Sequence, residues 1–245
     1  METLWKDFSY SLRVVRTKPM FTAIIALTLA LGIGPTTAIF SVINAVTLRP
    51  LPYRERERLV TVQWQNLKSG ARNDRVSPDV FHEWKKNNHV FKEMATFAIL
   101  DPRTLSGEQA PEQVDVHQVS ANFFPMLGVR PALGRLFSEK EDMPQAAGEK
   151  ESPHGDRVVI LSHGLWQRRF GGDPGILEKT IRIDGVGHTV IGVMPPGFRF
   201  NELSADAWAP MGLDPAKSYL AAGFGFFCRT LARLRAGVTP EQARE

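Results

Sequence analysis

Between Lys18 and Arg49 the chain carries no charged residue. The run Met20 to Leu48 (MFTAIIALTLALGIGPTTAIFSVINAVTL) is 29 residues long, and about 20 apolar residues are enough to cross a bilayer core as a helix. A helix that is apolar on every side has nowhere to bury itself in a small soluble domain. The run therefore divides the chain into a basic head (1–18), a transmembrane helix with its stalk (19–48) and a long tail (49–245). It is too long for a cleaved leader, whose apolar region spans about 7–15 residues. The best small-residue cleavage site, ending at Ala45, has bulky Ile43 at its −3 position. An uncleaved anchor is expected.

Within the run, Ala26, Ala30, Gly34 and Ala38 recur every four residues and share one helix face. Small side chains at that spacing let a second helix approach closely in lipid. Pro35 removes a backbone donor and is expected to kink the helix. At about 1.5 Å per residue the run is roughly 44 Å long against a core of about 30 Å. Its far end, 41–48, is expected to leave the lipid as a stalk that Pro50 and Pro52 terminate. In the head, Leu4, Trp5, Phe8, Leu12 and Val15 fall on one helical face, with Lys6, Arg13 and Thr17 opposite. Trp5, Phe8 and Leu12 are the expected interfacial anchors; docking of the same face on a cytoplasmic protein fits the pattern equally. Four basic residues precede the run (Lys6, Arg13, Arg16, Lys18) and four follow closely (Arg49, Arg54, Arg56, Arg58). Charge alone thus sets no orientation.

The tail reads as mixed α and β. Alternation in 58–65 and 112–120 predicts half-buried strands, and 91–100 a further strand. Ser77-Pro78 has the form of an N-cap and first helical residue, opening a helix to about Asn88. A short helical turn is expected over 122–127, ending at Gly128. Residues 143–156 (MPQAAGEKESPHGD) read as an exposed, mobile loop. A buried strand follows at 157–161, then a helix capped by Ser162 and stopped by Gly171-Gly172. Strands at 180–184 and 188–193 flank Gly185–Gly187 as a hairpin. A late strand is expected at 227–234, and Thr239-Pro240-Glu241 opens a helix.

No nucleotide-binding loop GxxxxGK[ST], HExxH or GxSxG motif is present, and His82 and His89 have no companions that would complete a zinc set. Each histidine reads as surface or satisfied structure. Glu139, Glu141 and Asp142 read as a charged loop with no apolar setting to raise a pKa. Ser162 reads as a cap, not a nucleophile. No catalytic, cofactor or metal residue is assigned, and enzymatic activity is not expected. The net charge of +4 is mild, and after about residue 75 basic residues alternate with acidic ones. That pattern argues against nucleic-acid binding.

Five blocks carry more. GIGPTTAIFSVINAVTLRPLPY (32–53) resembles the first membrane helix and exit of MacB/FtsX-type ABC-transporter permeases. VSPDVFHEWKKNNHVFKEMATF (76–97), VSANFFPMLGVRPALGRLF (119–137), the stretch from Val158 to Phe200 and LARLRAGVTPEQA (231–243) resemble the extracytoplasmic core domain of that family, in the right order. The nearest likeness is to its large orphan permeases, which carry no ATPase of their own.

The resemblance implies an α+β chain: one N-terminal transmembrane helix, then a mixed α/β periplasmic MacB-like core domain. It implies a bacterial inner-membrane location with the N-terminus cytoplasmic and the tail periplasmic. The implied partners are a cytoplasmic ABC ATPase subunit, a second permease copy, the lipid bilayer and a periplasmic adaptor or outer-membrane protein. ATP hydrolysis by the partner would move the periplasmic domain, for export or mechanotransmission. Pro35 stands where the family has a small non-proline residue. The family also needs three further membrane helices after this domain, so the chain is expected to be a fragment. A membrane-anchored periplasmic binding or adaptor module without ATP coupling is the competing reading.

Overall fold

The computed structural model describes residues 19–43, 53–66, 68–107, 109–143, 157–200, 204–214, 216–221, 223 and 225–244. The chain divides into two compact units, Met1–Pro52 and Tyr53–Glu245.

In the first unit, helix α1 spans Pro19–Ile43, 25 residues with neither an acidic first turn nor a basic last turn. The helix continues through Pro35. Leu27, Leu31 and Ile24 are well exposed on one side of it and Leu29 and Ile33 on the opposite side, so apolar side chains lie exposed on opposite sides of it. Thr28 satisfies its hydroxyl by donating to Ile24 O at 2.8 Å, the usual way a threonine is accommodated in an apolar helix. Among the described residues, from which the side chains of Ile25, Ala26, Thr36 and 38–43 are missing, no helix is long and apolar enough to cross a membrane.

The second unit is built on one large mixed sheet. Its strands are β1 Leu59–Val62, β4 Arg75–Val76, β5 Phe91–Ala98, β6 Arg103–Ser106, β7 Glu112–Val114, β8 Val116–Val119, β9 Leu133–Gly134, β10 Val158–Leu161, β11 Thr180–Ile183, β12 Val186–Val193, β13 Ala207–Pro210 and β14 Cys228–Leu234. They run in the order β1-β14-β5-β8-β13-β10-β12-β11-β6-β7, with β4 added beside β14 and β9 beside β12. A separate ribbon pairs β2 Trp64–Gln65 with β3 Arg72–Asn73. β10 runs parallel to β12, and β13 parallel to β8; the other pairings are antiparallel.

Helices cover the sheet where their caps let them start. In α2 (Pro78–Asn87) the Ser77 side chain accepts from Val80 N, Pro78 opens the first turn, and Lys85 and Lys86 lie in the last. Basic residues there favour the negative end of the helix dipole. α2 buries Phe81 against Phe91, Met94, Met211 and Leu234. α3 (Phe123–Leu127) stops at Gly128, whose φ of 73° suits glycine. Its Phe124 meets Trp208 edge-on at 5.6 Å, and Phe123 meets Phe200 at 4.8 Å. α4 (His163–Phe170) is capped by Ser162, which accepts from Leu165 N, and ends at Gly171. It covers Leu161, Ile176, Ile181 and Val190.

Three readings need correction, and one lies outside the described residues. The strand expected over 112–120 is two strands parted at Asp115, whose carbonyl accepts from Asp206 N and Ala207 N. That carbonyl is turned out of the β7 ladder, so β7 pairs with β6 while β8 joins β13 and β5. The hairpin turns at Asp184-Gly185, both at positive φ (50° and 77°), one residue earlier than expected. Two such residues make the tight turn whose twist matches the strands. The helix expected from Thr239 is a single 3-10 turn, Gln242–Arg244, although Thr239 Oγ1 does accept from Gln242 N as a cap would. The loop expected over 143–156 lies outside the described residues apart from Met143.

Candidate functional site

The first residues of the second unit are bound into its core. Arg233, on β14, is 3 % exposed. Its Nη1 donates to Arg54 O at 2.7 Å and Glu55 O at 3.1 Å, and its Nη2 donates to Met126 O. A planar guanidinium with several fixed donors suits such a divergent set of carbonyls; an ammonium does not. Arg54 N in turn donates to Leu127 O at 3.1 Å. The Tyr53 hydroxyl donates to Arg199 O, and burial pushes its pKa up to about 12. Arg58 pairs with Glu55 at 2.6 Å and donates to Leu234 O. Glu55 takes a φ of 47°, a left-handed conformation unusual for a residue with a Cβ. It is held by Arg58 and by Arg233 at 3.9 Å. Strain at one residue persists where its surroundings over-determine it. The junction that follows α1 in sequence is thus clamped to β14 and α3.

A cleft of about 450 Å³ lies beside α2, lined by Phe81, His82 and Lys85 together with Ser120, Asn122, Asp142 and Met211. Asp142 accepts from Ala121 N at 2.8 Å and, through its other oxygen, from Gly212 N at 2.9 Å. Burial pushes its carboxyl above the usual range, partly offset by those N–H groups and by Lys85. Its neighbour Glu141 behaves oppositely. Arg135 grips it with two bonds of 2.7 and 2.8 Å and Ser138 N donates at 2.8 Å. The Arg135 bonds hold its carboxyl below the usual range. Adjacent carboxylates therefore pin the loop 138–143 from two sides. His82 is kept toward its neutral form by burial and by Lys85, and its Nε2 is buried without a partner among the described residues. The Ser120 hydroxyl donates to Asn122 Oδ1 and accepts from Thr96 N. These groups supply hydrogen bonds and charge; they fit recognition.

The sequence reading of this region is corrected in two places. Asp142 sits in the apolar setting that the loop was expected to lack. His82 is neither exposed nor satisfied. The Ser138-x-x-Glu141 spacing, a capping box in form, was the one local signal for the loop; Asp142 and His82 had none. Nor had Arg233, whose acceptor at Arg54 is 179 residues away in sequence.

Of the helix residues singled out, Ala30, Gly34 and Pro35 are exposed on α1, and a Cβ added at Gly34 would meet nothing within 4 Å. Ala26 and Ala38 fall on the same helix, with side chains outside the described residues. Trp5, Phe8 and Leu12 also lie outside them. Among the described residues no cluster of His, Cys, Asp or Glu is arranged to hold a metal.

A family profile described as the MacB-like periplasmic core domain matches residues 22–245. The chain belongs to this family. Three solved structures share the fold. A domain assigned to a permease protein of Porphyromonas gingivalis has 18% identity and a TM-score of 0.57, over 77% of this chain and 80% of that one. The periplasmic region of MacB from Actinobacillus actinomycetemcomitans has 13% identity and a TM-score of 0.55, over 81% and 83%. The extracellular domain of the noncanonic ABC-type transporter YknZ from Gram-positive bacteria has 14% identity and a TM-score of 0.51, over 76% and 87%. No curated protein sequence matches. The second unit is the MacB-like periplasmic core domain of a MacB/FtsX-type ABC permease. In sequence, that core opens with the clamped segment Tyr53–Arg58.

Proposed function

We propose that the chain works as part of an ABC permease subunit whose periplasmic domain is moved by ATP hydrolysis in a cytoplasmic partner, for export or mechanotransmission. α1 spans the inner membrane, with its N-terminus cytoplasmic and the core periplasmic. A helix that exposes Met20, Leu27, Leu31 and Ile33 on all sides is stable in lipid, since each such side chain left in water forgoes about 1.5–3 kcal/mol of burial. Ala26, Ala30, Gly34 and Ala38 form its packing face toward a further membrane helix of the dimeric assembly. Trp5, Phe8 and Leu12 anchor the head at the cytoplasmic interface.

The observation that carries the coupling is the clamp. A domain driven through its entry segment needs that segment bound to the core more firmly than to water. Arg233, Tyr53 and Arg58 bind it so. The competing adaptor reading places no load there. A flexible insert of six Gly-Ser residues between Pro52 and Tyr53, in the permease with its ATPase, separates the two. Coupling predicts retained assembly and ATP hydrolysis with the transport output abolished. Output that survives the insert refutes it.

A further inference from the structure

The sheet opens at the β11–β6 boundary. These strands are tied at one end, beside the Asp184-Gly185 turn. There Asp184 N donates to Thr104 O at 2.8 Å, Thr104 N donates to Asp184 Oδ1 at 2.8 Å, and Arg103 pairs with Asp184 at 2.9 Å. Only two residue pairs form, Ile183 with Leu105 and Arg182 with Ser106. Beyond Ser106 the chain leaves the sheet, held away by Arg169, which donates to Ala110 O at 2.8 Å and Gln109 O at 3.2 Å. β11 continues to Thr180, paired on its other side with β12.

Strand geometry says what faces the gap. Backbone groups alternate in direction along an antiparallel strand. Asp184 N and Arg182 O both point toward β6, the latter accepting from Ser106 Oγ. Thr180 is in phase with them, so its N–H and C=O face the opening past the end of β6. That opening is a cleft of about 400 Å³ with Leu105, Phe170, Ile176 and Ile181 on its walls.

The rim is cationic. Among the described residues, Arg169, Lys179 and Arg182 line it against one carboxylate, Asp173. The Arg169 charge is solvated by carbonyls and makes no ion pair among the described residues. Lys179 pairs with Asp173 at 3.2 Å with both side chains more than half exposed, a weak interaction. Arg182 is exposed and has no side-chain partner among the described residues.

We propose that this cleft docks an extended acidic segment of a partner protein, which pairs with the Thr180 edge and sets its carboxylates against Arg182 and Lys179. An unfilled strand edge beside apolar pockets is recognised by adding a strand: main-chain bonds give affinity and alternate side chains give selectivity. The excess of positive charge selects acidic segments and repels basic ones. The site is independent of the entry clamp, so it stands whether or not the domain is driven by ATP.

The test uses the full chain in detergent micelles and two fluorescein-labelled hexapeptides, Val-Asp-Val-Glu-Val-Asp and its lysine counterpart, followed by anisotropy. The acidic peptide is expected to saturate. Arg182→Glu is expected to weaken it about tenfold or more, and Lys179→Glu to weaken it to a smaller degree, because both reverse a charge facing a carboxylate. Both side chains are exposed, so the fold is retained; circular dichroism checks this. Thr180→Pro removes the edge N–H and is expected to abolish binding without altering the sheet's other pairs. Equal binding of the lysine peptide, an Arg182→Glu affinity matching the parent, or no saturation by about 1 mM (a free energy near −4 kcal/mol) overturns the proposal.

Discussion

Arg233→Lys tests whether the entry clamp holds as the geometry says. The guanidinium makes three bonds from two nitrogens, to Arg54 O, Glu55 O and Met126 O. A lysine side chain is shorter and ends in one nitrogen, and at 3 % exposure water cannot replace what it misses. Two of the three bonds should be lost. Hydrogen bonds to a charged group contribute about 1.5–3 kcal/mol each, and the retained positive charge limits the loss, so the expected cost is about 3 kcal/mol. For a domain of this size each kcal/mol shifts Tm by roughly 2–4 °C, which predicts a fall of about 6–12 °C in a thermal melt followed by circular dichroism. Arg235→Lys is the control, since Arg235 makes one bond of 3.3 Å to Phe91 O and should shift Tm by about 2 °C or less. In the intact permease the same variant should weaken output more than ATP hydrolysis. A Tm for Arg233→Lys within about 2 °C of the parent refutes the reasoning.

Gly134→Ala should cost several kcal/mol, because its φ is 73° and the new Cβ would stand 2.2 Å from Ile191 O and 2.9 Å from Gly192 Cα. Gly185→Ala, at φ 77° with open space around it, should cost about 1 kcal/mol; equal Tm losses for the two would contradict the close-approach argument. Glu141, held low by Arg135, contributes stability above the ordinary glutamate range that is lost as pH falls through its depressed folded value. Glu141→Gln should therefore flatten the acid limb of a Tm-against-pH curve. Asp142 has the opposite sign: its folded value is raised by burial, so stability falls as pH rises through it, and Asp142→Asn should remove that slope. Cys228 is fully buried and its thiol is pushed up to about 12, so maleimide should label it only after denaturation; fast labelling of the folded chain would place β14 outside the core.

What the sequence revealed of this fold was local. Ser77-Pro78 and Ser162 announce their helices because a cap and the turn it satisfies lie within four residues. Gly171 and Gly128 end helices by the same short-range logic. β13 escaped notice because AWAP is four residues ending in Pro210, a residue that argues against a central strand. It is nonetheless central, paired with β8 through Trp208 and His117 and with β10 through Ile160. Pro210 is tolerated because it closes the strand. The order of the strands could not be read either, since β14, last in sequence, lies between β1 and β5.

The residues on which the proposals rest were hidden for the same reason. Arg233 reads as one polar position in an alternating strand until the fold brings the carbonyls of Arg54, Glu55 and Met126 around it. Asp142 reads as one of three surface carboxylates until Ala121 and Gly212 present their N–H groups. The cleft at Thr180 depends on where β6 ends, and nothing in RTLSG marks Ser106 as its last paired residue. In each case the decisive partners are backbone groups, which every residue carries and no side-chain pattern reports. The apolar helix is the converse case: its character is wholly in its side chains, so the sequence reads it more fully than the fold of its neighbours does. The domain is legible in its backbone geometry and the helix in its composition, and the chain enters the domain in sequence at Tyr53–Arg58. A mutation that leaves both intact but loosens that junction is the one that tells a driven domain from a merely tethered one.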